Sequence, residues 1–284
     1  MSFRAACLRL LAGLGLGALG CATWANERPL ILAVHPYLPA AELQQRFAPL
    51  AAYLGQAIGR RIEVRVGGSY GEHIDAIGRD QVDLALLGPV SYVRLLERYG
   101  SKPLLGRFLV NRQPYLHGVI AVRQNSPLRS LKELKGRRFA FGDPESTMSH
   151  IVPRAVLKEA GVPVSALAEY KFLGSHRNVA LAVLAGDFDA GAMKQEVFDE
   201  YAAKGLRILA GLPPTSDHLF VTRATLPEAE IGRLRQALLT IHQRPDARTL
   251  LEPLHKGLDG FGPVSEKDYA PLRRMLRSLE ADVR

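Results

Sequence analysis

Apolar positions along this chain alternate between two periods. Leu30–Val34 is a continuous apolar run of strand length, Leu43, Phe47, Leu50, Leu54 and Ile58 recur at helical spacing, and Ile62–Val66 alternates as a strand does. Ser69 is placed to cap a helix running to Arg79, and 83–87 is a further buried strand ending at Gly88-Pro89. Leu104–Val110 and 115–122 read as extended segments joined by the polar turn 111–114. The alternation then resumes: strand 137–141, a helix to Ala160, strand 169–173, helix 177–185, strand 189–193, helix 195–203 and strand 206–210. Gly211-Leu212-Pro213-Pro214 is a stiff turn, 218–222 is extended, and 227–243 and 266–280 read as helical. Strands separated by helices predict an α/β fold built on a mostly parallel sheet.

A middle α/β unit flanked by an N-terminal α/β unit and C-terminal helices predicts two lobes, entered and left once each. The crossing strands are expected near 113–121 and 212–219. This divides the chain into lobe 1, formed by 26–117 and 217–284, and lobe 2, formed by 118–216. A cleft between lobes is the default place for a ligand.

The first 25 residues change the picture of where the chain works. Arg4 and Arg9 precede a Leu/Gly/Ala-rich run, and Thr23-Trp24-Ala25 supplies small residues at cleavage-type positions, the pattern of a secretory signal peptide over 1–25. Leu19-Gly20-Cys21 offers an alternative, a lipoprotein site with Cys21 acylated; the expected product is a soluble periplasmic monomer. Both cysteines, Cys7 and Cys21, lie in this segment, so cleavage after Ala25 leaves no thiol for a disulfide, a metal site or a nucleophile. Loss of Arg4 and Arg9 lowers the formal charge from +9 to +7. That surplus suits anionic ligands. The basic residues are scattered, and the densest group, Arg273, Arg274 and Arg277, reads as a solvated helix face, so nucleic acid is not expected.

In an open parallel sheet the ligand sits beyond the carboxyl ends of the strands. The loops there carry His35-Pro36-Tyr37, Gly67-Gly68-Ser69-Tyr70, Gly88-Pro89-Val90-Ser91-Tyr92, Gly142–His150, Gly174-Ser175-His176 and Lys194. Ser146, Thr147 and Ser149 crowd one helix start, where free N–H groups and the macrodipole favour an anion. With Ser91, Tyr92, Tyr37, His176 and Lys194 they form the candidate site. Each has a plain structural reading too: Ser and Thr are good caps, Tyr37 and Tyr92 can be packing residues, and Met148 reads as packing. The chain has neither phosphate-loop nor dinucleotide glycine patterns, no H-E-x-x-H and no G-x-S-x-G, and its eight histidines are dispersed. No metal, cofactor or catalysis is expected.

The ordering of these motifs resembles the periplasmic phosphate/phosphite/phosphonate-binding proteins of ABC transporters, the PhnD-like group of type II periplasmic binding proteins. The resemblance runs from about Leu30 to Leu279 and rests on Asp143-Pro144-x-Ser146-Thr147 with Pro153, on Gly174-Ser175-His176 leading to 181–186, on Asp189-Ala190-Gly191, and on Val82-Asp83-Leu84-Ala85 through Gly88-Pro89 and Tyr92. It implies hinge closure on a small anion and an ABC permease as partner. It also implies that Ser146, Thr147 and His176 hold the anion's oxygens while Tyr92 and Tyr37 close on it. Met148-Ser149 departs from the family's Ser-Gly, putting a thioether where a hydroxyl is usual, and His150 stands where an aromatic is common. Relatives that take aminoalkyl phosphonates place carboxylates in the cleft, whereas Lys194 would repel an ammonium and favour added negative charge. Two other roles compete on this fold: ligand sensing for a membrane histidine kinase, and hydrolysis of phosphate esters.

Overall fold

The computed structural model describes residues 28–281; the signal segment 1–25, with both cysteines and the acylation alternative, lies outside them. Two mixed sheets form the frame. The first draws on β1 (Leu30–Val34), β2 (Ile62–Val66), β3 (Leu84–Leu87), β4 (Leu104–Val110), β12 (Leu219–Thr222) and β13 (Leu258–Gly262), in the order β13-β4-β12-β3-β1-β2. The second, in the order β10-β6-β9-β7-β8, uses β6 (Gly118–Arg123), β7 (Arg138–Phe141), β8 (Glu169–Phe172), β9 (Ala190–Lys194) and β10 (Leu206–Gly211). Between them β5 (Tyr115–Leu116) and β11 (Thr215–Ser216) pair antiparallel as a short ribbon, inside the two segments expected to cross. Tyr269 donates its hydroxyl to Asp217 O at 2.6 Å and Arg107 reaches Ser216 Oγ at 3.0 Å, which anchors the ribbon to the first sheet.

The sheets are mixed rather than mostly parallel. β1 runs parallel to β2 and β3, and β7 to β8 and β9, but β12, β4 and β13 are antiparallel, as are β6 with β9 and β10. The ribbon explains this. β4 passes to β6, and β10 to β12, with no helix between, so these strands lack the crossover that makes neighbours parallel. The C-terminal part is helical over the expected 227–243 and 266–280, and the stretch between them adds a short helix and a strand. In chain order this part holds α7 (Glu228–Thr240), α8 (Ala247–Leu251), the strand β13 and α9 (Ala270–Ala281). β13 was hidden because two of its five residues are glycine.

Alternation across the strands sorts the core. Leu30, Leu32 and Val34 of β1 face a cluster with Phe47, Leu50 and Leu54 of α1 (Ala40–Ile58), while Ile31 and Ala33 face a second cluster with Ile74 and Ile77 of α2 (Tyr70–Gly78) and Val90 and Val93 of α3 (Pro89–Tyr99). That second cluster continues through Leu116, Leu212 and Met148 to Ile120, Phe139 and Phe141 of the second sheet. The other face of that sheet packs Val119, Ala121 and Ala140 on Val179 and Val183 of α5 (His176–Ala185). Buried Asp83 fixes the first sheet by accepting from Ile31 N at 2.8 Å and Arg223 Nε at 2.7 Å.

Candidate functional site

Three helix starts meet where the sheets face one another. α3 begins at Pro89 after Gly88. The helix leading into α4 (Val152–Glu159) begins with a wide π turn, Thr147–Ile151, capped by Ser146, whose Oγ accepts from Ser149 N at 3.2 Å. α5 begins after Ser175, whose side chain accepts from Asn178 N. Such starts carry unpaired N–H groups and partial positive charge. Two contacts join them: Val90 N donates to Thr147 Oγ1 at 3.2 Å across the sheets, and Ser146 Oγ lies 3.5 Å from His176 Nε2.

His176 is held as a neutral donor. Its Nδ1 accepts from Lys194 N at 3.1 Å, so the ring proton resides on Nε2, which faces Ser146. Burial, and then the nearby charges of Lys194 and His218, lower its pKa to about 3 against a smaller opposing pull from Glu196. His35 is likewise kept neutral by burial and by His218 and His73; it sits 4.9 Å from the ring of Tyr37, 5.3 Å from Tyr70 and 5.4 Å, stacked, from His218. His218 Nδ1 lies 2.7 Å from Asp217 Oδ1.

The proposed site residues are therefore not equivalent. Ser146, Thr147, His176 and Lys194 are linked through the contacts above. Ser149 is fully buried against Gly142, and neither its hydroxyl nor that of buried Ser91 has a hydrogen-bond partner among the described residues. A buried hydroxyl left unpaired costs about 1–3 kcal/mol. Tyr37 is half-buried, with its pKa pushed up to about 12 chiefly by burial. Tyr92 is buried edge-on against Tyr269, ring centroids 4.7 Å apart, and its hydroxyl has no partner among the described residues.

Two expectations about charge and shape change. Lys194 does not offer a spare charge, because its Nζ is 2.7 Å from Glu196 Oε2. Met148 puts no thioether among the donors: it is buried against Gly118, where an added Cβ would lie 3.0 Å from its sulfur. His150 does the packing of an aromatic, with its ring 4.7 Å from Phe172 and 5.2 Å from Phe141. His35 and Tyr70 lie in the strand-end loops but outside the candidate set drawn from the sequence, as do His218, Glu196 and His255. Glu196 and His255 carry no sequence signal, since their meeting depends on how the two sheets are apposed. Among the described residues no group of His, Cys, Asp and Glu is placed to hold a metal.

Two α/β sheets joined by a two-strand crossing, with donors gathered between them, define the type II periplasmic binding fold. Residues 32–269 match the model of a family described as ABC transporter, phosphonate, periplasmic substrate-binding protein, and the chain belongs to that family. It is 30% identical over 200 residues to the phosphate-import protein PhnD of Mycolicibacterium smegmatis, covering 66% of this chain and 62% of that one. It is 29% identical over 163 residues to the probable ABC transporter phosphite binding protein PhnD1 of Prochlorococcus marinus, covering 56% of this chain and 50% of that one. The matches thus span about half to three fifths of these curated relatives. The structure of PhnD1 from Prochlorococcus marinus in complex with methylphosphonate superposes with a TM-score of 0.78 at 21% identity, covering 88% of this chain and 98% of that one. Among the described residues no helix is long and apolar enough to cross a membrane.

Proposed function

We propose that this protein captures a small phosphonate-, phosphite- or phosphate-like oxyanion between its two sheets and delivers it to an ABC permease. The observation that carries the reading is the convergence of the α3, Thr147 and α5 helix starts, tied together by the Val90–Thr147 and Ser146–His176 contacts. Oxygens of an anion are matched there by hydroxyls, backbone N–H groups and a neutral imidazole. Ser146, Thr147, Ser149, Ser91 and His176 are the donors in this reading, and Tyr37 and Tyr92 wall the cleft. The lobes are 26–117 with 217–284, and 118–216; they close by bending at the β5–β11 ribbon, and closure requires only that the anion bind the closed form better than the open one. The chain acts in the periplasm as a monomer after loss of 1–25. Names of relatives support the ligand class: one imports phosphate, another is called a phosphite binding protein.

Calorimetry of the chain without 1–25 against phosphate, phosphite, methylphosphonate, sulfate and dicarboxylates tests this. A tetrahedral oxyanion is expected to bind and raise Tm by mass action. Ser146→Ala/Thr147→Ala is expected to abolish that rise. Binding left intact in the double variant moves the site elsewhere, and binding of cations or apolar compounds alone ends the anion reading.

A further inference from the structure

Glu196 lies in the first turn of α6 (Gln195–Ala202), directly after the strand end that holds His176, and its charge is felt by both His176 and Tyr37. It is a carboxylate at the edge of the candidate site, and both of its oxygens are taken. Oε2 receives Lys194 Nζ at 2.7 Å from its own sheet. Oε1 meets His255 Nε2 at 2.5 Å, from the segment between α8 and β13 of the other sheet. Burial favours its neutral form, but the hydrogen bond from His255 and the charge of Lys194 outweigh that and hold its pKa at about 2.

The state of His255 follows from its two neighbours. Its Nδ1 is 2.8 Å from Lys256 O, a pure acceptor, and its Nε2 faces an ionised carboxylate, also a pure acceptor. Both ring nitrogens must therefore donate, which only the imidazolium can do. The ring is edge-on to Phe108 with centroids 6.3 Å apart and its side chain is 11% exposed, whereas that of Glu196 is 32% exposed, so the pair is partly shielded from solvent on the His255 side.

We infer that His255 is a specificity-determining residue of the oxyanion site: with Lys194 it saturates Glu196 from across the cleft, so the protein supplies that carboxylate's cations itself and selects compact oxyanions that carry no ammonium group. This rests on the function proposed above. A ligand with a cationic tail would have to displace an internal imidazolium to reach Glu196. A ligand without one leaves the cross-sheet bridge intact, and the closed form keeps both sets of contacts.

The test is calorimetry with methylphosphonate and 2-aminoethylphosphonate on the full mature chain and on His255→Gln, His255→Lys, Glu196→Gln and His255→Gln/Glu196→Gln. Wild type is expected to prefer methylphosphonate. In His255→Gln the preference should narrow at least tenfold, with weaker methylphosphonate binding and a gain for the aminoalkyl compound. His255→Lys, which keeps the cation, should restore the wild-type ratio, and the gain should vanish in the double variant. Circular dichroism and Tm establish that each variant is folded, and Glu196→Gln, which should gain nothing for the aminoalkyl compound, keeps the test open if His255→Gln does not fold. Wild-type binding with an unchanged ratio in His255→Gln, or an aminoalkyl gain in Glu196→Gln, overturns this inference alone. Failure of wild type to bind any oxyanion overturns both this and the proposed function.

Discussion

Two of the contacts between the sheets are built from opposite chemistry. On the side of α3 and the Thr147 helix a neutral contact crosses between the sheets, Val90 N to Thr147 Oγ1, beside the Ser146–His176 pair of the second sheet, while Arg94 of α3 meets Glu145 at 3.7 Å next to it. On the side of α6 they meet through full charges, Lys194, Glu196 and His255. Neutral donors can serve an incoming anion with no counter-charge to displace, whereas the charged groups are already spent on one another. At the Ser146–His176 start the side-chain groups are dipoles, a hydroxyl and a neutral imidazole. The ionic rim is left to hold the sheets in register.

The largest disturbance expected on the neutral side is Gly142→Ala. A Cβ at Gly142 would stand 2.0 Å from Ser149 Oγ and 2.9 Å from Ser149 Cβ. The hydroxyl can rotate away but the Cβ cannot, so the capped helix start must shift. A loss of about 1–3 kcal/mol in urea unfolding is expected, together with loss of oxyanion binding by calorimetry. Full binding by a folded Gly142→Ala protein would show that the Ser146–Ser149 start does not face the ligand.

His176→Ala removes one donor without crowding. It is expected to weaken oxyanion affinity by roughly 10- to 100-fold, the scale of a hydrogen bond to a charged partner, with a smaller change in Tm. His176→Asn, which can still donate near Ser146, should recover part of that loss. If alanine and asparagine behave alike, the ring acts by packing and the neutral side has lost its central donor.

Most of the neutral side could be read from the chain, because caps are local. Ser146, Thr147, Ser149 and His176 follow strand-length apolar runs at helix starts, and that geometry belongs to a few consecutive residues. The ionic side could not. Glu196 and His255 are far apart in sequence and meet only through the relation of the two sheets, which no local period encodes. Lys194 shows the same limit from within: its position was readable, its pairing with Glu196 was not. Strand direction was not legible, since it depends on which connections lack a helix. β13 escaped because Gly260 and Gly262 interrupt any apolar alternation.

Acid should separate the two sides in a defined order. His73 is lowered to about 4 by burial, against a hydrogen bond to Leu86 O, and His176 to about 3, while Glu196 is lowered to about 2. The unfolded chain takes up protons near pH 6.5 that the folded imidazoles refuse. Their contribution is therefore complete above that pH and is lost as pH falls toward 4 and then 3. Glu196 contributes fully above about pH 4.5 and loses its share only as pH falls toward 2. Urea unfolding at pH 7 and pH 5 is expected to show a drop of about 1–2 kcal/mol for a buried imidazole of this kind, and His73→Asn should flatten the slope. A pH-independent midpoint over that range would mean that these rings are not held neutral by the fold.

The smallest expected effect is the most pointed test of the neutral side. Met148 stands in sequence where the resemblance leads one to expect a hydroxyl. Its sulfur, however, packs on Gly118, so the substitution alters the packing between the π turn and β6 while the hydroxyls of Ser146 and Thr147 keep their contacts. Met148→Leu conserves volume and should cost less than about 1.5 kcal/mol in unfolding, with oxyanion affinity changed less than about twofold, since no donor moves. A large change in affinity at unchanged stability would put the thioether in contact with the ligand. The neutral side would then be a mixed surface, and its contrast with the ionic rim would no longer explain which anions the cleft accepts.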